Sequence, residues 1–264
     1  MIQKTIKSPV SRKGTGLHSG IGTVITLLPS KENSGIVFYY KDKTIPALAS
    51  RISGTKRGTS LDCLSTVKHI LSAVYGLGIT NLDIRMDGPE PPAFDGSSIE
   101  YVRMINEAGI AGQKEAAEVI EIRSEIVVQE NGASICVEPY SGFAVESHLE
   151  FPASFVGKQS SFFDESVNDY EKDIAPARTF GFIEEVEALR NSGLALGASA
   201  ENAVVVLKDG YSCALRFPNE LARHKILDIM GDIALAGRRI KGRIISEKAG
   251  HRLNAKLVER IINA

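Results

Sequence analysis

Two histidines and two aspartates stand at spacings that helices would bring together. Around His224, the apolar residues Ile226, Ile229, Met230 and Ile233 share one side of a helical wheel. His224, Asp228 and Asp232 fall within about 80° of one another on the opposite side. An imidazole and a carboxylate four helical residues apart can reach one metal ion, as the two histidines of an H-E-x-x-H helix do. A solvated face carrying a His–Asp pair gives the same pattern, so this stripe alone does not define a site. The segment around His69 repeats the geometry, with His69 and Lys68 off the face formed by Val67, Ile70, Leu71 and Val74. One helix then offers one donor and the other offers two. A His2Asp set leaves a fourth position for water, the layout of a catalytic rather than a closed structural zinc site.

The remaining histidines are more ambiguous. His251 lies in Ala249-Gly250-His251, on a glycine-flanked turn expected between the last strand and the last helix. Such a histidine suits a general acid poised near neutral pH, although an exposed loop histidine would look the same. His18, in the Gly16–Gly20 turn, is equally open, and His148 reads as a structural strand residue. Cys63, Cys136 and Cys213 are odd in number, far apart and without CxxC spacing. They predict free, mostly buried thiols rather than disulfides or a thiolate metal site.

The elements that must position these residues follow from periodicity. Residues 1–30 read as a hairpin, and short strands continue to about Ile52. A helix is expected over 65–76, a strand over 81–86 and a second helix over 98–108, after the rigid loop Gly88-Pro-Glu-Pro-Pro92 and Asp95-Gly-Ser97. The stretch 109–117 reads as a linker dividing an N-terminal domain, 1–112, from a C-terminal domain, 118–264. Behind it, segments 119–129, 133–138 and 143–151 read as a β-meander around the turn Asn131-Gly132. Helices are expected over 183–192 and 220–236, then a strand over 242–247 and a last helix over 254–262. Each half thus runs strands, helix, strand, helix, an order that suggests an internal duplication more than residue identity does. The fold class is α+β.

Composition narrows the partners. The formal net charge is −1, only 6% of residues are aromatic and there is no Trp. Nucleic acid would need a basic stripe that is missing here, whereas a local basic pocket for one phosphorylated small molecule is compatible. The N-terminus lacks the apolar segment of a signal peptide, and no apolar run approaches the ~20 residues of a membrane span. A cytoplasmic protein is expected, and a monomer, since no coiled-coil seam is evident.

At this point the sequence resembles a known family. Ser65-Thr-Val-Lys-His69, Asp95-Gly-Ser97, Ala177-Arg-Thr-Phe-Gly-Phe182 and Arg223-His-Lys-Ile-Leu-Asp-Ile-Met-Gly-Asp232 are its most specific pieces. The similarity extends from Gly14-Thr-Gly-Leu-His-Ser-Gly20 to Gly250-His-Arg-Leu-Asn254. The chain is similar to the UDP-3-O-acyl-N-acetylglucosamine deacetylases, which commit a sugar nucleotide to lipid A in Gram-negative bacteria. The resemblance implies two domains of similar topology, each a β-sheet layered on α-helices, with the active site between them. It implies zinc-dependent hydrolysis of the N-acetyl group of a UDP-activated acylated N-acetylglucosamine, giving the free amine and acetate. By position, the zinc ligands would be His69, His224 and Asp228. His251 would protonate the leaving amine, Asp232 would orient or charge it, and Thr179 would hydrogen-bond the oxyanion. Lys225 would meet the diphosphate, with Phe180 and Phe182 also against substrate. The segment 183–196 would contribute an apolar passage for the acyl chain, though by itself it shows only an amphipathic pattern that ordinary packing explains as well.

One departure bears directly on catalysis. The family carries Glu immediately before the first metal-binding histidine, as the base that takes a proton from the attacking water, and this chain carries Lys68. A protonated lysine cannot accept that proton, and loss of a general base typically costs about 10²–10⁴ in rate. Its charge would also oppose a metal ion. Three readings follow: a variant deprived of its base, a paralogue that binds zinc and the sugar-nucleotide lipid without efficient turnover, or a Lys68 whose pKa is lowered enough to serve as the base. The stretch between Thr59-Ser-Leu61 and Ser65 is also shorter than in well-known members, so the wall of the substrate entrance is expected to differ.

Overall fold

The computed structural model describes residues 1–151 and 155–264. The chain opens with strands β1 (Ile2–Ile6), β2 (Val10–Thr15), β3 (Gly22–Pro29), β4 (Ile36–Tyr40) and β5 (Lys43–Pro46). A small hairpin, β6 (Ile52–Gly54) and β7 (Ser60–Leu61), leads to helix α1 (Lys68–Gly76), strand β8 (Leu82–Met86) and helix α2 (Ile99–Ala108). Strands β9 (Ile110–Ala116), β10 (Val119–Glu121), β11 (Ile126–Glu130), β12 (Ala133–Glu138), β13 (Phe143–Phe151) and β14 (Gly157–Asp164) follow. After the single turn α3 (Tyr170–Asp173) come β15 (Phe180–Phe182), α4 (Ile183–Asn191), β16 (Val204–Val206), α5 (Glu220–Ile233), β17 (Arg239–Glu247) and α6 (His251–Ile262). The architecture is α+β, as expected.

Two sheets share one topology. The first runs β2-β3-β8-β4-β5; the second runs β11-β12-β17-β13-β14, with β10 also paired to β17. In each, the strand latest in sequence inserts between the second and third, antiparallel to the one and parallel to the other. A helix precedes the inserted strand, α1 or α5, and another follows it, α2 or α6. The repeated order supports the duplication that the sequence pattern suggested.

Four local expectations need correction. The segments 119–151 do not form a meander, because β17 wedges between β12 and β13. Every second residue of β17, from Ile240 to Ser246, is buried, so this strand sits in the middle of its sheet with a partner on each side. The N-terminal hairpin is β2–β3 alone, while β1 pairs antiparallel with β9. The stretch read as a linker is therefore mostly a strand, which satisfies the backbone of β1. Helix α6 begins at His251 rather than Asn254, since the Gly250 carbonyl accepts hydrogen bonds from the backbone N–H groups of Leu253 (2.9 Å) and Asn254 (3.1 Å).

One apolar cluster runs through both halves, from Ile25, Phe38 and Leu71 to Val137, Ile244 and Leu257. Helices α1 and α5 meet within it. Their approach depends on Gly231, where a Cβ would lie 2.2 Å from the Lys68 carbonyl oxygen. With α1 on one side and β13, β14 and α6 packed around it, α5 keeps no solvated face. The polar stripe that a wheel places opposite the apolar residues is consequently buried as well.

Replacing Gly231 with Ala forces the two helices apart. Overpacking of this kind costs about 1–3 kcal/mol. A clearly lower urea midpoint is expected for Gly231→Ala, and an unchanged midpoint would show that the helix contact has slack.

Candidate metal centre and active site

His69 on α1 and His224 and Asp228 on α5 each offer a ligand atom, and these atoms lie within 4.8 Å of one another. All three residues are buried, at 3%, 1% and 1% exposure. Buried polar atoms normally have partners, yet His69 Nε2 and His224 Nε2 have none, and Asp228 Oδ1 has no aligned donor. The rings of His69 and His224 meet edge to face, 5.3 Å between centroids. His224 Nδ1 lies 3.0 Å from the Ala177 carbonyl oxygen. That acceptor requires the proton on Nδ1 and leaves the Nε2 lone pair free, the arrangement a metal-binding histidine needs. The donor set, two imidazole nitrogens and one carboxylate, fits a zinc-type divalent ion with a position left open.

The surrounding loops fix these atoms. Arg178 binds Glu220, at the start of α5, through its backbone N–H (2.9 Å), Nε (2.8 Å) and Nη2 (3.0 Å). This clamp holds the segment 177–182 against α5 and delivers the Ala177 carbonyl to His224. Ser98 Oγ donates to the His69 carbonyl at 2.8 Å, anchoring α1. Gly96, at φ +81°, accepts from the Thr179 N–H at 2.8 Å, and a Cβ there would lie 1.8 Å from the Asn202 carbonyl oxygen. Asp95-Gly-Ser97 thus positions Thr179, a role its sequence does not disclose.

A second network joins His251 to α5. His251 Nδ1 lies 2.7 Å from Asp232 Oδ2, which also accepts from Asn254 Nδ2 at 2.8 Å. Thr59 Oγ1 donates to Asp232 Oδ1. With Nδ1 committed to Asp232, His251 presents Nε2 to the cleft. Sequence reasoning missed Thr59 and Asn254 as members of this network. Asn254 is three residues after His251, so an α6 begun at His251 would have placed both on one helix face; nothing in the sequence marks Thr59.

Lys68 is buried at 4% exposure. Its Nζ lies 2.6 Å from Asp228 Oδ1 and 3.3 Å from His251 Nε2. Asp228 Oδ2 is 3.2 Å from Lys225 Nζ and 3.7 Å from His251 Nε2. Burial alone would raise the Asp228 carboxyl, but Lys68, His224 and Lys225 together hold it well below the usual range. Burial lowers the pKa of both ligand histidines, His69 strongly, and Lys68 adds to that effect at each.

Above this floor lies a cleft of about 450 Å3, lined in part by Thr179, Phe180, Phe182, Lys225, His251 and Arg57. Lys225 Nζ stands 5.4 Å from the Phe180 ring centre. Phe151 packs against Phe182 at 5.0 Å and Phe180 at 6.2 Å. The residues the sequence nominated for the site therefore come together in one region, from four separate segments: α1, 179–182, α5 and the start of α6. Helix α4 buries none of its residues, and Leu196 beyond it is 56% exposed. His18 lines a separate pocket with Ser19 and Lys56. His148 pairs with Glu146 at 2.9 Å and does not line the cleft. The thiols are free as expected, but Cys63 is exposed and Cys136 and Cys213 are half-buried, because they lie at a turn, on the outward face of β12 and in a loop rather than in the core.

The buried cluster of His69, His224 and Asp228 beneath a cleft is a candidate metal centre. The family model for UDP-3-O-acyl N-acetylglycosamine deacetylase matches residues 3–263. The chain is 39% identical over 273 residues to the UDP-3-O-acyl-N-acetylglucosamine deacetylase of Nautilia profundicola, covering 99% of this chain and 92% of that one. It is 38% identical to the proteins of that name from Myxococcus xanthus (99% and 86% covered) and Coxiella burnetii (98% and 90%). The chain belongs to the UDP-3-O-acyl-N-acetylglucosamine deacetylase family. Among the described residues, no helix is long and apolar enough to cross a membrane.

The buried histidines give stability a definite pH dependence. Their folded pKa values lie below the 6.5 of a free imidazole, so below about pH 6.5 the unfolded chain binds protons that the folded chain refuses. Metal-free protein should hold full stability from these groups above that pH and lose it as the pH falls towards 5. Urea midpoints from pH 7.5 to 5 test this, and His69→Gln should flatten the profile. A midpoint independent of pH would contradict neutral, buried imidazoles.

Proposed function

We propose that this chain hydrolyses the N-acetyl group of a UDP-activated, 3-O-acylated N-acetylglucosamine to the free amine and acetate, a committed step of lipid A biosynthesis. The observation that carries the reading is the convergence of two bare imidazole nitrogens and a carboxylate oxygen beneath a cleft, in a chain of this family. His69, His224 and Asp228 would hold Zn2+, which when bound polarises a carbonyl and lowers the pKa of water. Thr179, at the cleft wall, would hydrogen-bond the oxygen on which negative charge develops. His251 would deliver a proton from Nε2 to the departing amine while Asp232, held by Thr59 and Asn254, keeps its ring in place. Lys225, half-buried at the rim of the site, offers a cation to the diphosphate. The aromatic wall of Phe180, Phe182 and Phe151 and the exposed apolar residues near α4 would lie along the acyl chain. The two sheets, each with its helices, would be the two domains divided at residues 113–117. The reading puts the reaction in the cytoplasm, on a single chain.

A second reading has its own support. Lys68 Nζ stands 2.6 Å from a ligand oxygen, where the family has a base. A lysine ion-paired there takes no proton from water, which favours a zinc- and sugar-nucleotide-lipid-binding paralogue with little turnover.

Acetate release from the UDP-acyl-N-acetylglucosamine substrate with zinc supplied separates the two. Turnover by Lys68→Glu about 10²–10⁴ times that of the parent chain would identify a complete site lacking only its base. Multiple turnovers by the parent chain would exclude the non-catalytic reading. Absence of acetate from both proteins would sink the deacetylase assignment.

A further inference from the structure

Lys68 has a consequence beyond the missing base. Its side chain is 5% exposed and that of Asp228 2%, so neither charge is stabilised by bulk water. An isolated buried ion is strongly unfavourable, and the 2.6 Å contact pairs the two opposite charges. The contact falls on Asp228 Oδ1, the same atom that belongs with the bare nitrogens of His69 and His224. His224 Nε2 is only 3.3 Å from that oxygen. The ammonium therefore stands at the edge of the space the three donors enclose. A zinc ion about 2.0–2.2 Å from Oδ1 would sit within about 5 Å of the ammonium, with little solvent between like charges. The Lys68 backbone cannot move off, since its carbonyl is packed against Gly231. Only the side chain can withdraw, and doing so strips it of Asp228.

We propose that the Lys68 ammonium and a divalent cation compete for Asp228 Oδ1, so that this lysine acts as an internal counter-ion setting the metal affinity of the site. The inference rests on the reading of His69, His224 and Asp228 as metal ligands. The Asp228 carboxylate is balanced without metal because Lys68 supplies the positive charge it needs. Metal enters only by displacing the lysine from its partner. Neutral side chains at position 68 remove the competitor and leave the three donors in place.

The test is titration of chelator-treated protein with Zn2+ by calorimetry, and with Co2+ by its ligand-field absorption, for the parent chain, Lys68→Gln and Lys68→Met. Both variants should bind about 10–100-fold more tightly than the parent, the range over which groups beside metal ligands tune affinity. Equal affinities would overturn the proposal. The double variant Lys68→Gln/His224→Ala should lose the gain; if it binds as tightly as Lys68→Gln, the ligand assignment itself fails, a different result from equal affinity of parent and single variant. A measurement on the parent chain alone guards against misfolded variants. The side-chain nitrogen resonance of Lys68 should shift as Zn2+ saturates the site, and a bound metal that leaves it unmoved would refute the competition.

Discussion

Helix α1 can lie on α5 only because residue 231 is glycine, and nearly everything in the site depends on that approach. The contact sets the Lys68 carbonyl against the Gly231 backbone. His69, the next residue on α1, meets His224, two turns earlier on α5, edge to face. Without it, His69 would sit in one half of the molecule and His224 and Asp228 in the other, with no reason to meet. The same approach seals the polar stripe of α5 from water. Burial pushes the imidazole pKa values down and leaves the Nε2 atoms without hydrogen-bond partners. The convergence of His69, His224 and Asp228 is therefore a product of packing between two topological repeats.

The second determinant is a set of hydrogen bonds that fix orientation rather than position. Ala177 sets the tautomer of His224, and the Arg178–Glu220 clamp sets Ala177. Asp232, Thr59 and Asn254 do the equivalent for His251. These partners hold two rings so that each presents Nε2 to one cleft. Precision of this kind comes from the shell around the reacting groups. It also explains why residues from distant loops cluster in the recognisable sequence pieces.

Lys68 introduces a conflict into an otherwise consistent site. Around it, the donors, the oriented histidine and the threonine match a metal-dependent hydrolase. At its tip, a positive charge occupies the neighbourhood of the ligand carboxylate. Local violations of an otherwise coherent design are expected at functional sites. Here the violation falls on a single side chain, and its ion pair shows how the fold accommodates it without loss of the surrounding geometry.

The sequence by itself determined most of the element types, the clustering of candidate donors on helix faces and the repeat order, because helical spacing and β-alternation are local and periodic. His69, His224 and Asp228 were legible because four-residue spacing puts donors on one helix face wherever that helix goes. What periodicity could not supply was everything that depends on long-range contact. It placed the stripe of α5 opposite the apolar face, but only the packing of α1, α6 and the second sheet decided that this face is buried too. It read β11 to β13 as consecutive neighbours, whereas β17, some ninety residues later, takes the central place in the sheet. It missed Thr59 because a lone hydroxyl has no pattern, and it put His251 on a turn because a helix start is decided by which carbonyl accepts the first bonds. It could name Lys68 as a departure, yet the identity of its partner, Asp228 on another helix, follows only from the tertiary structure, since an ion pair across 160 residues leaves no trace in local order.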